Sequence, residues 1–182
     1  MAEIGFNLDQ FKAKFKGGAR SYLFLYKPIF PGGVGDITSE DAQYLVRTAT
    51  LPETTLEEII VNWQGYDWKL PGKYTYTDFT VTFNVDVKAK IRFAWEKWMT
   101  LIHDPETNVH ALPEEFLVDQ HITLLGYDGN PIMSYKLLHA WPKMIGPITL
   151  DYAAAEVAQF DVTLTYAYHT TSVATPGSGS GI

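Results

Sequence analysis

The stretch "YTYTDFTVTFNVD", Tyr74 to Asp86, decides the fold. In it Phe79, Val81, Phe83 and Val85 alternate strictly with Thr80, Thr82 and Asn84. Successive side chains of a strand point to opposite faces, so a period of two turns one apolar face to a core and one polar face away from it. Immediately downstream the period changes. From about Val87 to His103, the residues Ile91, Ala94, Trp95, Trp98, Leu101 and Ile102 form one stripe at helical spacing. Asp86 is placed to cap this helix, and Asp104 before Pro105 ends it, because a residue preceding proline is pushed out of the helical region. A helix with one apolar side beside a half-buried strand is most simply a lid over a sheet.

Upstream, Leu56 to Asn62 is also strand-like, and between the two strands lies "NWQGYDWKLPGKY", residues 62–74. Gly65, Pro71 and Gly72 read as turn or bulge residues, so the segment becomes the tip of a long hairpin with Trp63, Tyr66 and Trp68 on its arms. Exposed apolar area costs roughly 25 cal/mol per Å², or about 1.5–3 kcal/mol for a large side chain. The rings therefore fold onto the chain's own sheet or meet a partner; a sugar-stacking platform is a third use.

Further toward the N-terminus, Leu8, Phe11 and Phe15 recur at helical spacing, with Asn7 as N-cap and Gly17 and Gly18 as the stop. Lys12, Lys14 and Lys16 read as the solvated face of a docked helix. "SYLFLYKPIF" (21–30) reads as a buried strand, "PGGVGDITSED" (31–41) as a loop and "QYLVRTATL" (43–51) as another strand. Beyond the central helix, the polar loop "PETNVHALPEE" (105–115) leads to a hairpin over 116–141 that turns at Asp128 and Gly129. "WPKMIGPITLDY" (141–152) is expected to break the pairing with its prolines. A final strand runs over 156–169, alternating through Phe160, Val162, Leu164, Tyr166 and Tyr168. Residues 1–170 then form one domain, and 171–182 a flexible Gly/Ser-rich tail.

Composition agrees with this mainly β reading and narrows the function. A length of 182 residues suits one domain, and 14% aromatic residues lean toward strands and interfaces. With no cysteine, a disulfide framework and thiolate chemistry are excluded. A net charge of −7 argues against nonspecific nucleic-acid binding, which needs clustered cations. No apolar run approaches the length of a membrane span, and the N-terminal stretch lacks the apolar core of a secretory signal, so the chain reads as soluble and without a membrane anchor.

Standard catalytic arrangements are missing. The five histidines, His103, His110, His121, His139 and His169, form no pair at metal-ligand spacing. "PGGVGD" lacks the Lys and Ser/Thr of a phosphate-cradling loop. Glu57 with Glu58, and Glu114 with Glu115, are adjacent pairs, and adjacent carboxylates on a strand point apart rather than converge. No serine stands in a G-x-S-x-G elbow. We expect no enzyme and no cofactor.

The order of segments resembles the tail tube proteins of contractile-tailed bacteriophages, the myoviruses. Five stretches carry the likeness: "LDQFKAKFKGGARSYLFLY", "TATLPETTLEEIIVNWQGYDWKLPGKY", "YTDFTVTFNVD", "WPKMIGPITLDY" and "AQFDVTLTYAYH". They include "TATLP", "FTVTF" and "AWPKMIGPITLD" where the family has TALP-like, WTVTV-like and LWPxxxGxxxLD-like segments. They span nearly the whole chain except the Gly/Ser tail and the 104–116 loop. Related tubes occur in other contractile injection machines. The resemblance implies a β-sandwich or barrel-like subunit with a short N-terminal helix and one central amphipathic helix. It also implies homo-hexameric rings that stack into a rigid tube, driven through the host envelope by a contractile sheath. Phage DNA would pass through without specific binding. Sheath, tape-measure protein, baseplate and tail terminator would be its partners, and the virion tail, assembled in the host cytoplasm, its location. On this reading Trp63, Tyr66, Trp68, Leu70 and Tyr74 form an inter-subunit hairpin. Glu57, Glu58, Asp86 and Asp161 are candidates for an acidic or Thr/Asn-rich channel wall. A tube protein of a phage-derived injection system and, from another class, a carbohydrate-binding β-sandwich are the alternatives.

Overall fold

The computed structural model describes residues 8–34, 37–153 and 155–173. Asn7, read as a helix cap, and residues 174–182 of the tail lie outside the described residues. In chain order the elements are α1 (Leu8–Phe15), β1 (Phe24–Tyr26), α2 (Ser39–Gln43), β2 (Val46–Ala49), β3 (Thr54–Trp63), β4 (Tyr66–Tyr76) and β5 (Phe79–Asn84). Then come α3 (Lys90–Ile102), α4 (Pro113–Phe116), β6 (Val118–Leu125), β7 (Pro131–Ile145), β8 (Gln159–Thr165) and β9 (Tyr168–Val173). All pairings are antiparallel, and the body is a curled sheet in the order β1-β6-β7-β8-β5-β2, with β9 also on β7.

The strand β7 makes the curl. Its first part pairs with β6 on one side and β9 on the other, and its last part, from Trp141 to Ile145, pairs with β8. His139, near the handover, has φ +54°, a left-handed conformation that is uncommon for non-glycine residues. The curl brings Tyr26 of β1 edge-on to Phe79 of β5, ring centroids 5.3 Å apart, so the two ends of the sheet face each other across one core. This is a mainly β body, as the alternating strands lead one to expect, in the sandwich or barrel-like form that the resemblance implies.

Helix α3 closes that core. Ile91, Ala94, Trp95 and Trp98 are buried, the two indoles stack at 5.4 Å, and Phe30 packs edge-on to both. Arg92 clamps the lid to the sheet: it pairs with Glu96 at 2.6 Å, donates to the Gly146 carbonyl and lies over the Phe160 ring. The one buried polar side chain among the described residues, Gln120, is hydrogen-bonded through both its oxygen and its nitrogen. Its oxygen accepts from the Tyr26 hydroxyl at 3.0 Å and the Ile29 amide at 3.1 Å, and its nitrogen donates to the Ile29 carbonyl at 2.7 Å. A buried amide so paired ties the segment after β1 to β6.

Six local expectations change. The helix α3 starts at Lys90 rather than Val87, because a turn from Asp86 to Ala89 intervenes, with Ala89 at φ +51°. Asp86 still serves the first turn, accepting from the amides of Ile91 and Lys88. The strand read over 21–30 pairs only at Phe24–Tyr26, and the strand read over 74–86 is two, interrupted at Thr77 and Asp78. Pro142 does not end the pairing: it sits opposite Leu164 beside a bulge, and β7 continues to Ile145. The final strand is also two, since the chain steps at Tyr166 and Ala167 from one end of β7 to the other, and β9 runs on to Val173. The segment read as a loop over 31–41 enters α2, whose first turn is capped by Thr38 accepting from the Asp41 amide. No helix among the described residues is long and apolar enough to cross a membrane.

Candidate assembly interface

Among the described residues the hairpin β3–β4 pairs with no other strand, and all ten residues of β3 are exposed. Its register explains why exposure here differs from ordinary surface scatter. Ile59 sits opposite Leu70, Val61 opposite Trp68 and Trp63 opposite Tyr66. Directly paired residues share a face, so these six side chains form one apolar surface two strands wide. Trp63, Tyr66 and Trp68 are 69%, 79% and 63% exposed, values that nothing in the subunit's own core reduces. The opposite face toward the tip is mixed: Ile60 lies there opposite Lys69, Lys69 pairs with Glu58 at 2.9 Å, and Asn62 donates to Asp67.

The tip and the bulge come from the residues expected to make them. Gln64 and Gly65, both at positive φ, form the two-residue turn that a tight hairpin needs. Between Leu56 and Glu58 the register shifts, with Gly72 and Lys73 opposite Glu57. A Cβ on Gly72 would stand 2.9 Å from the Glu57 carbonyl oxygen, so the bulge depends on a residue without one. Past the bulge Leu56 pairs with Tyr74, on the face that also carries Glu58 and Ile60. Tyr74 is thereby separated from Trp63 and Trp68, the rings with which the sequence grouped it.

Tyr74 instead begins an aromatic root. It stacks on Tyr76, which contacts Tyr166 and, edge-on at 5.2 Å, His169; Tyr135 touches His169 from β7. Thr54 and His169 share a hydrogen bond at 3.3 Å. Burial holds His169 below the usual imidazole range and, with Asp78 and Tyr76 nearby, pushes Tyr166 up to about 12. Asp78, in the turn after β4, accepts from Lys143 at 2.7 Å and from Thr165. These two bonds outweigh its burial and hold its carboxyl below the usual carboxylate range. The hairpin is thus tied to the body at its root by these ring contacts and hydrogen bonds.

The four acidic candidates are not gathered. Glu57 accepts from Thr75 on one face of the hairpin and Glu58 pairs with Lys69 on the other. Burial raises the pKa of Asp86, but the backbone amides it caps outweigh that and hold it low. Asp161 alone lies on a polar sheet face, where it accepts from Thr82, which in turn meets Thr48. That face, the outer side of β5 and β8, also carries Thr80, Asn84, Gln159, Thr163 and Thr165. Ile59 and Val61 were not singled out from sequence, although their period of two with Trp63 marks the same face. Nor was the contact of His103 and His110, whose rings stack at 4.2 Å across a bridge that closes the loop between them. No group of three His, Asp or Glu among the described residues is placed to hold a metal.

Comparison with known proteins bears on this geometry. Residues 10–172 match the family described as phage tail tube protein. The tail tube protein of Serratia phage KSP90 is 30% identical over 130 residues, covering 70% of this chain and 73% of that one. Among solved structures, the cap that terminates the anti-feeding prophage tube superposes with a TM-score of 0.65 at 19% identity, covering 86% of this chain and 91% of that chain. The sheath–tube complex of the extracellular contractile injection system PVC gives 0.62 at 18% identity, covering 92% and 98%. At such identities the likeness concerns the fold.

Proposed function

The chain belongs to the phage tail tube protein family, a structural component of the tail, and on that premise we propose that its subunits close into six-membered rings that stack into a DNA-conducting tube. The observation that carries this reading is the apolar face of β3–β4. Six paired side chains on a hairpin joined to the body, five of them exposed in one copy and Leu70 half-buried, form a surface that another copy can complete. Each large side chain buried there contributes about 1.5–3 kcal/mol, and the contact repeats at every subunit. The unpaired edges of β3 and β4 would be covered in the same event, removing a template for uncontrolled pairing.

The channel wall in this proposal is the polar side of β5 and β8, with Asp161 as the candidate that best fits it. Hydroxyls, amides and a carboxylate offer phosphates no clustered cations, and the nearby Lys143 is neutralised by Asp78. DNA would therefore slide rather than be held through counterion release. A sheath around the tube, a tape-measure protein within it, and a baseplate and terminator at its ends complete the reading. The solved relatives come from tube, cap and baseplate assemblies of contractile injection machines. Such a protein catalyses no reaction, is built in the host cytoplasm and ends in the virion tail.

Electron microscopy of Trp63→Ala with Trp68→Ala tests the proposal. The variant is expected to keep the monomer's stability within about 0.5 kcal/mol, because both side chains are exposed, and to form no tubes where the unaltered protein does. Unchanged tubes from the variant would remove the hairpin from the interface. A monodisperse, monomeric unaltered protein at high concentration would overturn the assembly itself.

A further inference from the structure

Two more surfaces are unfinished, and they lie at opposite ends of the subunit. At one end is α1, which has no buried residue: Leu8, Phe11 and Phe15 line one side at 54–60% exposure, and the rings of Phe11 and Phe15 stack at 5.1 Å. Lys12 and Lys14 flank that apolar side. The helix was expected to dock on its own body, and it does not. It is instead held away at its C-terminus, where the Tyr127 hydroxyl donates to the Gly17 carbonyl and Arg20 donates to Tyr127 and covers its ring. Tyr127 lies in the turn between β6 and β7, just beyond the last residue of β6.

At the other end of β6, α4 precedes the strand directly, fixed to the lid by a bond from the Trp98 indole to the Phe116 carbonyl. Here α3, α4 and the loop between them surround an open groove of about 600 Å³. Val34, Leu101, Val109 and Ala111 supply apolar lining, and Asp104 and Glu115 supply carboxylates. The segment 104–116 carries Asp104, Glu106, Glu114 and Glu115 and no Lys or Arg. One cation, Lys97, reaches the rim, and its ammonium lies over the Phe93 ring. Hydrogen bonds from the Thr107 hydroxyl and the Glu106 amide hold Asp104 below the usual carboxylate range, so its charge persists at any ordinary pH.

We propose that α1 of one copy docks in the α3–α4 groove of the next, its apolar side against Leu101, Val109 and Ala111 and its flanking lysines against the acidic loop. This inference rests on the chain being a self-assembling tube subunit, and it names a second contact apart from the hairpin. The charges are complementary, three lysines and one aspartate over residues 8–16 against four carboxylates over 104–116. The positions are complementary too. An eight-residue strand is roughly 25 Å long, so a helix at one end of β6 cannot fill a groove at the other end of the same copy while Tyr127 holds it. It can fill the groove of a copy displaced along the strand. Such a head-to-tail contact uses different patches on the two partners, and it therefore propagates instead of closing into a pair.

The chain has no cysteine, which makes crosslinking a clean test. Phe11→Cys and Val109→Cys are prepared separately, mixed, assembled and oxidised. Disulfide-linked dimers in the mixture, and none in either variant alone, are the expected result. Tubes without the crosslink overturn the docking and leave tube assembly standing; an unaltered protein that forms no tubes strikes the assembly reading instead. A charge exchange covers the case in which the cysteine variants do not assemble. Lys12→Glu with Lys14→Glu is expected to raise the critical concentration for assembly at least tenfold, and adding Glu106→Lys with Glu114→Lys to return it toward the starting value. No rise, or no rescue, overturns the proposal.

Discussion

The strands β5 and β3 are close in sequence and share an apolar alternation, yet they end in opposite environments. Each places three large apolar residues at alternate positions: Phe79, Val81 and Phe83 in one, Ile59, Val61 and Trp63 in the other. The first three are fully buried, while the second three are 52%, 41% and 69% exposed. The neighbours make the difference. β5 lies between β8 and β2 under the lid α3, whereas among the described residues β3 pairs only with β4. Alternation reports that a face must be covered; it does not report whether the cover belongs to the same copy. In this chain one copy covers β5, and the proposed tube covers β3.

Three substitutions would break or sharpen that contrast. The largest effect belongs to the buried strand. Phe83→Ala removes a ring packed against Trp95 and Phe160, and it should cost the monomer about 3–5 kcal/mol in urea denaturation. A loss as small as that from truncating an exposed hairpin ring would show the body to be loosely packed. Next is Gly72→Ala, which pushes a Cβ toward the Glu57 carbonyl. Displacing backbone around an inserted methyl costs about 1–3 kcal/mol, expected here as faster amide exchange confined to β3 and β4 and as weakened assembly, with the body unaffected. Uniformly faster exchange would mean that the hairpin and the body unfold as one unit.

The smallest effect is at the hairpin's root. Asp78 has a lowered pKa when folded, so the unfolded chain binds its proton at higher pH than the folded chain does. Its contribution is complete above the ordinary aspartate value of 3.8 and is lost as pH falls below it through the lower folded value. Because the Lys143–Asp78 pair is substantially exposed, Asp78→Asn should cost at most about 1 kcal/mol at pH 7. The variant should also show a shallower loss of stability in acid than the unaltered chain. Parallel acid curves for the two proteins would place the cause of acid sensitivity elsewhere, with Asp119, paired with Lys136, the next candidate.

Much of the proposed assembly surface was legible because its signals are local. Gly65 and Gly72 marked the turn and the bulge, and the rings of Trp63, Tyr66 and Trp68 announced area that needed covering. What stayed hidden depends on register. Tyr74 was grouped with the tip rings because it follows them in the chain, and a one-residue bulge moves it to the opposite face. The acidic candidates were chosen by type, but the neighbours of two of them are set by strand pairing: Lys69 for Glu58 and Thr82 for Asp161. Pro142 was read as a stop because proline cannot donate to a ladder, yet beside a bulge the missing donor is not needed.

By itself the sequence determined which residues must leave water. The period of two in 79–85, the helical stripe from Ile91 to Ile102 and the glycines of the hairpin are properties of consecutive residues, where covalent geometry alone sets the faces. Only the tertiary structure decided where those faces go. The division of β7 between β9 and β8, the exposure of α1 and its separation from the acidic groove arise from pairings between residues far apart in the chain. No local pattern encodes such pairings, because a strand's hydrogen bonds are satisfied equally well by any edge of suitable register.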